Sequence, residues 1–229
     1  MERAKAEALV RGRGWLSTVP PDFAARLLSR ARLSRVEPGQ PLWHAGDDPG
    51  SMCGVVTGGA QVHLPLPDGG ETLATILRCG TWFGAGPQVT RRPRTLSFRW
   101  HEPGWAFRLP LSAVDALVQD RPEMARPLAS VHVQATEVAA RVLADTTIRD
   151  NLRRVAAVLW RVTDEGDGPA DRVFPLSQTE LAVMAAVSRQ VVNRSLAAFE
   201  ARGWLRAGYG KITFTDRRAL FRCAWPDQD

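Results

Sequence analysis

The sequence of 229 residues has few cysteines and no long run of apolar residues. No uninterrupted apolar stretch reaches the roughly 18 residues that a membrane-spanning helix needs. The N-terminus, Met1–Val10, alternates charged residues with alanine and lacks the apolar core of a signal peptide. The three cysteines, Cys53, Cys79 and Cys223, lack the CxxC spacing of zinc and thiol redox sites. These absences predict a cytoplasmic protein with reduced thiols and no membrane partner.

Motifs for catalysis are missing as well. The sequence contains no Gly-rich P-loop, no Gly-x-Ser-x-Gly and no His-Glu-x-x-His. Its four histidines, His44, His63, His101 and His132, are isolated, so they form no cluster of metal ligands. The sequence therefore predicts neither an enzyme nor a metal site. A barrel that houses catalysis is the least favoured alternative.

Positive charge is concentrated near the C-terminus. The net charge is +6, and only two of the 30 basic residues are lysines, Lys5 and Lys211. The segment 188–222 holds eight basic residues against two acidic ones. A positive surface of that size attracts a polyanion through counterion release. The pattern favours a nucleic-acid partner, and a solvated basic surface is the alternative.

The first half of the chain has the pattern of an antiparallel sheet. Between Arg35 and Leu109, short apolar runs are separated by glycine and proline at intervals of about 8–12 residues, which is typical of β-sandwiches and barrels. The runs 54–66 and 71–77 flank Pro-Asp-Gly-Gly, which predicts a hairpin. A short helix is expected over 21–31.

The pattern changes to helical periodicity at Leu111. A short helix is expected around 114–118, and Pro122 is expected to open a long one. Pro127 should kink the long helix or delay its regular start. Apolar residues in that helix recur at the 4-3-4-3-4 spacing of a heptad seam, which predicts either dimerisation or packing on the helix's own domain. The seam consists of Met124, Leu128, Val131, Ala135, Val138 and Val142.

The last third of the chain predicts a helix-turn-helix. A helix over 152–162 is followed by a loop over 164–169. Ser177 then begins the capping box Ser-Gln-Thr-Glu of a helix that runs to about Ala186. Ser188 caps a second helix, which runs from Arg189 to about Arg202.

The second helix has a polar face suited to DNA. Arginine, glutamine and asparagine can pair with base edges in a major groove. Hydroxyl groups at helix N-termini are placed to hold phosphates. After Trp204, a hairpin that turns at 208–210 is expected to form a wing. The predicted base contacts are Arg189, Gln190, Asn193 and Arg194, and the predicted phosphate contacts are Ser177, Thr179, Ser188 and Lys211.

These residues carry a resemblance to a known family. Leu-Ser-Gln-Thr-Glu-Leu-Ala, Ser-Arg-Gln-Val-Val-Asn-Arg and Gly-Lys-Ile-Thr-Phe closely resemble the DNA-binding domain of the Crp/Fnr family of bacterial transcription regulators. The resemblance implies that Arg189 and Arg194 read base edges. Gln190 stands where the family often has glutamate, so the half-site sequence is left open.

The rest of the chain resembles the same family more loosely. Glu37-Pro38-Gly39, His44–Asp47 and Gly80–Gly84 are similar to parts of its cyclic-nucleotide-binding barrel. The resemblance implies an α+β architecture: an N-terminal antiparallel β-barrel of jelly-roll type over 1–120, a long dimerisation helix over 121–149, and a winged helix-turn-helix over 150–229. It further implies a homodimer that binds an inverted repeat in double-stranded DNA and works with RNA polymerase. A nucleoid-type binder without sequence preference is the alternative.

The sequence leaves the identity of the effector open. The residues that would bind it, Phe83–Ala85 and Arg94–Leu96, are called the effector cassette here. Family members that bind cyclic AMP have Phe-Gly-Glu and then Arg-Ser-Ala, whereas this chain has Phe-Gly-Ala and Arg-Thr-Leu. The resemblance makes Gly84, Arg94 and Thr95 the effector-binding candidates, while Ala85 removes the ribose carboxylate. The adenine-contacting Thr-Ser pair of the dimer helix is replaced by Ala139-Ala140. Cyclic AMP, another nucleotide or anionic effector, and no effector at all are the three alternatives, and no cofactor is certain.

Overall fold

The computed structural model describes residues 1–163 and 173–226. The chain divides into two compact units, one of residues 1–71 and 76–139 and one of residues 72–75 and 140–229. The loop expected over 164–169 lies outside the described residues.

The helices and strands follow the predicted order, with additional elements at both ends. The helices are α1 (Arg3–Arg11), α2 (Pro21–Arg30), α3 (Gly86–Thr90), α4 (Leu111–Asp120), α5 (Ala125–Thr147), α6 (Asn151–Val162), α7 (Gln178–Met184), α8 (Arg189–Ala201) and α9 (Arg217–Ala224). The strands are β1 (Arg32–Val36), β2 (Pro41–Trp43), β3 (Ser51–Pro65), β4 (Glu71–Leu77), β5 (Trp82–Phe83), β6 (Ser97–Pro110), β7 (Val173–Pro175), β8 (Leu205–Gly208) and β9 (Lys211–Phe214). Short 3₁₀ turns lie at Trp15–Ser17 and Pro122–Met124.

The N-terminal sheet is an antiparallel jelly-roll-like sheet and not the closed barrel that was expected. Its strand order is β1-β6-β3-β4, with β2 on β6 and β5 on β3. The pairing register between the long strands β3 and β6 shifts at three places around Thr57 and Gly59. A Cβ on Gly104 would lie 2.1 Å from the carbonyl oxygen of Thr57, so this crossing requires glycine. Within the described strands β1 and β4 end the order without pairing with each other, which leaves the sheet open.

Two apolar cores lie on opposite sides of this sheet. The interior of the roll holds Trp43, Phe83, Phe98 and Trp100. The second core packs the N-terminal helices, α4 and the start of α5 against the sheet. Trp15 belongs to the second core, and its indole N–H donates to the hydroxyl of Ser130 (2.7 Å).

The long helix begins later than its first proline. Pro122–Met124 forms a 3₁₀ turn, and the regular α-helix starts at Ala125. Pro127 therefore lies in the first turn of α5, where a missing N–H costs no helical hydrogen bond. The expected delay of the regular start is confirmed.

The C-terminal unit is a winged helical domain. Asp150 caps α6 by accepting from the backbone N–H of Arg153 (2.8 Å). Helix α9, which the sequence analysis did not predict, packs on α6 through Trp160 and Phe221, whose rings lie 5.3 Å apart. The strands β7, β9 and β8 form a small antiparallel sheet in that order.

Candidate nucleic-acid interface

Helix α7 begins with the predicted capping box. The Ser177 hydroxyl accepts from the backbone N–H of Glu180 (3.1 Å), and the Glu180 carboxylate accepts from the backbone N–H of Ser177 (2.8 Å). The Ser177 hydroxyl also donates to Glu180 (2.7 Å), so the only proton of that hydroxyl is already engaged. Thr179, by contrast, is exposed. Of these two predicted phosphate contacts, Thr179 is the one with an available hydroxyl.

The turn between α7 and α8 is tight. Ala186 adopts φ 50°, a left-handed conformation that is uncommon for a residue with a side chain. The N–H of Val187 reaches back to the carbonyl of Ala182 (3.0 Å), which closes the turn. Ser188 then caps α8 by accepting from Val191 (3.3 Å) and keeps its own hydroxyl exposed.

Helix α8 separates an inward face from an outward one. Val192, Ser195, Leu196 and Phe199 are buried and fix the helix on its domain. The four predicted base contacts are all exposed, and in the described part of the chain none of them has a hydrogen-bond or ion-pair partner. They are Arg189, Gln190, Asn193 and Arg194. The side-chain donors of this outward face are therefore free for a ligand outside the chain.

The wing is fixed to the end of α8. The Glu200 carboxylate accepts from the backbone N–H of Ala207 (2.8 Å), and Phe199 stacks on Trp204 at 5.7 Å. Both residues of the predicted tip, Tyr209 and Lys211, are exposed. The sequence analysis missed the role of Glu200, because nothing in a sequence links a helical glutamate to an N–H seven residues later.

Acidic side chains near this surface are engaged within the domain. Asp216 caps α9 through the N–H of Ala219 (3.0 Å) and pairs with Arg222 (3.1 Å). Arg217 is no part of the basic surface, since its guanidinium lies 3.6 Å from the centroid of the Trp160 ring and donates to a backbone carbonyl. The exposed face of α8 and the wing thus retains most of the positive charge of the segment.

In the effector cassette, the side chain of Arg94 already has partners within the chain. Arg94 is 6% exposed, lies 3.7 Å from the centroid of the Trp43 ring and donates to the carbonyls of Ser51 (2.7 Å) and Gly84 (3.3 Å). Burial lowers the pKa of the Arg94 guanidinium to about 10. A Cβ on Gly84 would lie 2.5 Å from the Trp43 ring. The cation expected for a cyclic phosphate is therefore already paired with an indole face and two carbonyls.

The residues around Arg94 lie in different environments. Thr95 is exposed, and Ala85 belongs to the core on the other side of the sheet. Arg91 forms two hydrogen bonds with Asp115 (2.6 and 2.9 Å), and this partner lowers the pKa of the Asp115 carboxyl. Arg99 pairs with Glu71 (3.0 Å).

Aromatic rings fill the roll beside the cassette. Phe83 stacks on Phe98 at 4.7 Å and on Trp43 at 5.6 Å, and it meets Trp100 edge-on at 6.3 Å. Val138 of α5 packs against the same cluster. Because Trp43 lies 51 residues before Arg94 in the sequence, no local motif could have revealed their pairing.

The predicted heptad seam of α5 lies largely inside the N-terminal unit of residues 1–71 and 76–139. Met124, Leu128 and Val131 are buried in its second core, and Val138 packs on the roll interior. The helix turns a different heptad face outward, with Val133 57% and Leu143 67% exposed. All members of that face are exposed at 3-4-3-4-3-4 spacing: Arg126, Ala129, Val133, Thr136, Ala140, Leu143 and Thr147.

Among residues 1–163 and 173–226, no helix is long and apolar enough to cross a membrane. The same residues contain no group of three or more side chains that could hold a metal ion.

A two-helix motif followed by a β-hairpin, on a chain that also carries a jelly-roll-like sheet and a long helix, defines a winged helix-turn-helix protein with a second, N-terminal domain. A Crp-like helix-turn-helix domain matches residues 153–223, and a cyclic nucleotide-binding domain matches residues 33–121. The chain belongs to the Crp/Fnr family of transcription regulators.

Relatives with known names match most of the chain. The CRP-like cAMP-activated global transcriptional regulator of Mycobacterium tuberculosis is 28% identical over 222 residues, covering 95% of this chain and 99% of the relative. The cyclic AMP receptor protein of Thermus thermophilus is 26% identical over 187 residues, covering 82% and 85%. A solved structure of a cyclic nucleotide binding protein from Ruegeria pomeroyi has the same fold, with a TM-score of 0.74, 17% identity and coverage of 98% and 99%.

Proposed function

We propose that this regulator binds an inverted repeat in double-stranded DNA as a homodimer and reads base edges with Arg189, Gln190, Asn193 and Arg194. The observation that carries the proposal is the exposed polar face of α8, whose side chains have no partner within the described chain. Recognition helices of this kind insert their first turns into the major groove, and dimers place them about 34–36 Å apart.

The proposed backbone contacts are Thr179, Ser188 and Lys211. Each is exposed, and each has a side-chain donor that is free within the described residues. We leave Ser177 out, because its donors are engaged by Glu180. Phosphate contacts position the protein without selecting a sequence, so they also support non-specific binding. The regulator would act in the cytoplasm, where the DNA and RNA polymerase are.

Comparing two variants tests the base-reading assignment. Arg189→Ala should weaken binding to a selected inverted repeat by about 1–3 kcal/mol more than it weakens binding to random duplex, because it removes a bidentate contact to a base. Lys211→Ala should weaken both duplexes alike and reduce the slope of log K against log salt by about 0.9 for each phosphate that is no longer neutralised. Fluorescence anisotropy over a range of salt concentrations measures both quantities. Equal losses on both duplexes for Arg189→Ala would contradict the assignment.

We also propose that the N-terminal unit does not bind cyclic AMP. Two relatives are named for cyclic AMP, but here Arg94 is sequestered by Trp43 and two carbonyls, and Ala85 cannot accept a hydrogen bond from a ribose. A buried polar group of the ligand that loses its partner costs about 1–3 kcal/mol. The alternatives are another anionic effector and control by abundance alone.

Thermal unfolding tests the effector proposal. Millimolar cyclic AMP should leave the Tm of the purified, ligand-stripped protein unchanged. A ligand present at 100 times its Kd would add about 2.7 kcal/mol to the unfolding free energy, which is readily seen as a higher Tm. A cyclic-AMP-activated relative assayed in parallel is the positive control. A concentration-dependent rise in Tm would contradict the proposal.

A further inference from the structure

A short segment of the N-terminal unit, residues 43–47, lies across Arg94 and is called the strap here. It begins at Trp43, the last residue of the three-residue strand β2, and ends at Asp47. The Cζ atom of Arg94 lies 3.7 Å from the centroid of the Trp43 ring, and each of the two residues is only 6% exposed. The guanidinium face that an anion would approach is therefore covered by a residue of the same chain.

Backbone hydrogen bonds fasten the strap to the segment that carries Arg94. The N–H of Arg94 donates to the carbonyl of Asp47 (2.9 Å), and the N–H of Gly46 donates to the carbonyl of Arg94 (2.7 Å). The N–H of Ala45 donates to the hydroxyl of Ser97 (3.0 Å). Gly46 adopts φ 94°, so the strap turns at a residue that tolerates this conformation without steric cost. Both the backbone and the side chain of Arg94 are thus bound to the strap.

The surroundings of the Trp43 ring match its shape. Phe83 stacks on the ring at 5.6 Å, and Phe98 meets it at 5.4 Å with a tilt of 38°. A Cβ on Gly84 would lie 2.5 Å from the same ring, so a glycine is needed at this position. Within the described residues the indole N–H of Trp43 has no hydrogen-bond partner. The ring is therefore held by aromatic contacts and by the cation, and not by a polar anchor.

The strap also brings a negative charge close to the cation. Burial lowers the pKa of Arg94 to about 10, and the charge of the Asp47 carboxylate opposes that shift. A buried guanidinium is costly unless other groups compensate for the water that it has lost. A flat ring over the cation and an anionic group beside it are the two features that a planar anionic ligand would supply. The strap supplies both of them from within the chain.

From these contacts we infer that the strap is a built-in ligand of Arg94, and that Trp43 is the residue that keeps diffusible anions away from this arginine. Arginine binds phosphate groups through charge-assisted hydrogen bonds, so the excluded ligands are phosphates and phosphate esters. The inference rests on the proposal that the N-terminal unit does not bind cyclic AMP, and it extends that proposal to the whole class of phosphate ligands. Of the two remaining alternatives, it favours control by abundance over another anionic effector at Arg94.

Removal of the indole tests the inference through a gain of binding. The probe is inorganic phosphate, titrated calorimetrically into the ligand-stripped full-length protein in a chloride buffer of matched ionic strength. Trp43→Ala uncovers the Arg94 face and should bind phosphate about 10-fold or more tightly than the wild type, as one charge-assisted hydrogen bond allows. The double variant Trp43→Ala/Arg94→Gln should lose that gain. No gain in Trp43→Ala, or a gain that persists without Arg94, would overturn the inference.

Three matched variants separate this role of Trp43 from its packing. Trp43→Leu keeps an apolar side chain in the core without an aromatic face, so it should gain phosphate binding even if the alanine variant does not fold. Trp43→Phe keeps the ring face and, since the indole N–H makes no hydrogen bond in the described chain, should exclude phosphate as the wild type does. Trp100→Ala removes another buried indole of the same core and should gain no phosphate binding. An equal gain in Trp100→Ala would trace the effect to general loosening and overturn the inference.

The inference and the effector proposal fail in different ways. A rise in the Tm of the wild type with cyclic AMP would overturn the effector proposal and this inference with it. If the wild type responds to neither cyclic AMP nor phosphate and Trp43→Ala does not bind phosphate either, this inference alone fails. Phosphate binding by the wild type that is lost in Arg94→Gln would also overturn this inference alone, because phosphate would then reach Arg94 past the strap.

Discussion

Replacing Val133 and Leu143 together by glutamate is expected to dissociate the proposed dimer and to weaken binding to the proposed inverted repeat about 100-fold or more, because a monomer reaches only one half-site. Both residues are exposed on α5, at 57% and 67%, so the double variant should fold. They lie on one heptad face, where apolar side chains of two copies would cover each other. Sedimentation velocity measures the mass, and anisotropy measures the affinity.

Ala135→Glu is the matched control on the same helix. Ala135 is exposed but belongs to the seam that the sequence favoured, most of whose members are covered by their own unit. The control should remain a dimer with wild-type affinity. A dimeric Val133→Glu/Leu143→Glu variant, or dissociation by Ala135→Glu alone, would contradict the exposed-face assignment.

Removing Arg161 should destabilise the C-terminal unit by about 3–5 kcal/mol, since it leaves a buried carboxylate without its partner. The Arg161 guanidinium lies 2.6 Å from the Asp145 carboxylate, and the two side chains are 10% and 4% exposed. Burial raises the pKa of Asp145 even though Arg161 opposes the shift. Equilibrium unfolding in urea, followed by far-UV circular dichroism, measures the cost of Arg161→Ala.

The loss of unfolding free energy caused by Arg161→Ala should depend on pH. Because the folded-state pKa of Asp145 is raised above its unfolded value, protonation is favoured in the folded state, and stability increases as the pH falls through the folded pKa. Without Arg161 the charged carboxylate is costlier still. The penalty of Arg161→Ala should therefore be largest at neutral pH and smaller at acidic pH.

A double replacement separates the effect of the ion pair from the effect of packing. Asp145→Leu combined with Arg161→Met removes both charges and keeps apolar volume, so it should recover the stability that Arg161→Ala removes. A double variant that is no more stable than the single one would show that the buried carboxylate is not the source of the cost.

The sequence predicted the elements whose causes are local. The capping box at Ser177, the cap at Ser188 and the late start of the helix that contains Pro127 each depend on residues within one helical turn, and all three are present. The winged helix-turn-helix followed from the same local signals. Closure of the sheet depends on pairing between its distant end strands, which no local pattern encodes, and the sheet is open.

Helix α5 illustrates the limit of periodicity. Two faces of the helix repeat at heptad spacing, and hydrophobicity selects the face that contains Leu128 and Val131. That face is the more apolar because the helix's own unit covers it. A pattern predicts that a face is covered, but which surface covers it follows only from the tertiary structure. The same holds for Arg94, whose aromatic partner comes from β2.

Selection of binding sites from random duplex DNA, with ligand-stripped protein at physiological salt and with or without cyclic AMP, tests the central claim most directly. We expect one inverted repeat, with half-sites one helical turn apart (about 34–36 Å), to be recovered equally in both conditions. Recovery only with cyclic AMP would contradict the proposal that Arg94, which is paired with Trp43, is not available to cyclic AMP. Recovery of no preferred sequence in either condition would contradict base reading by α8.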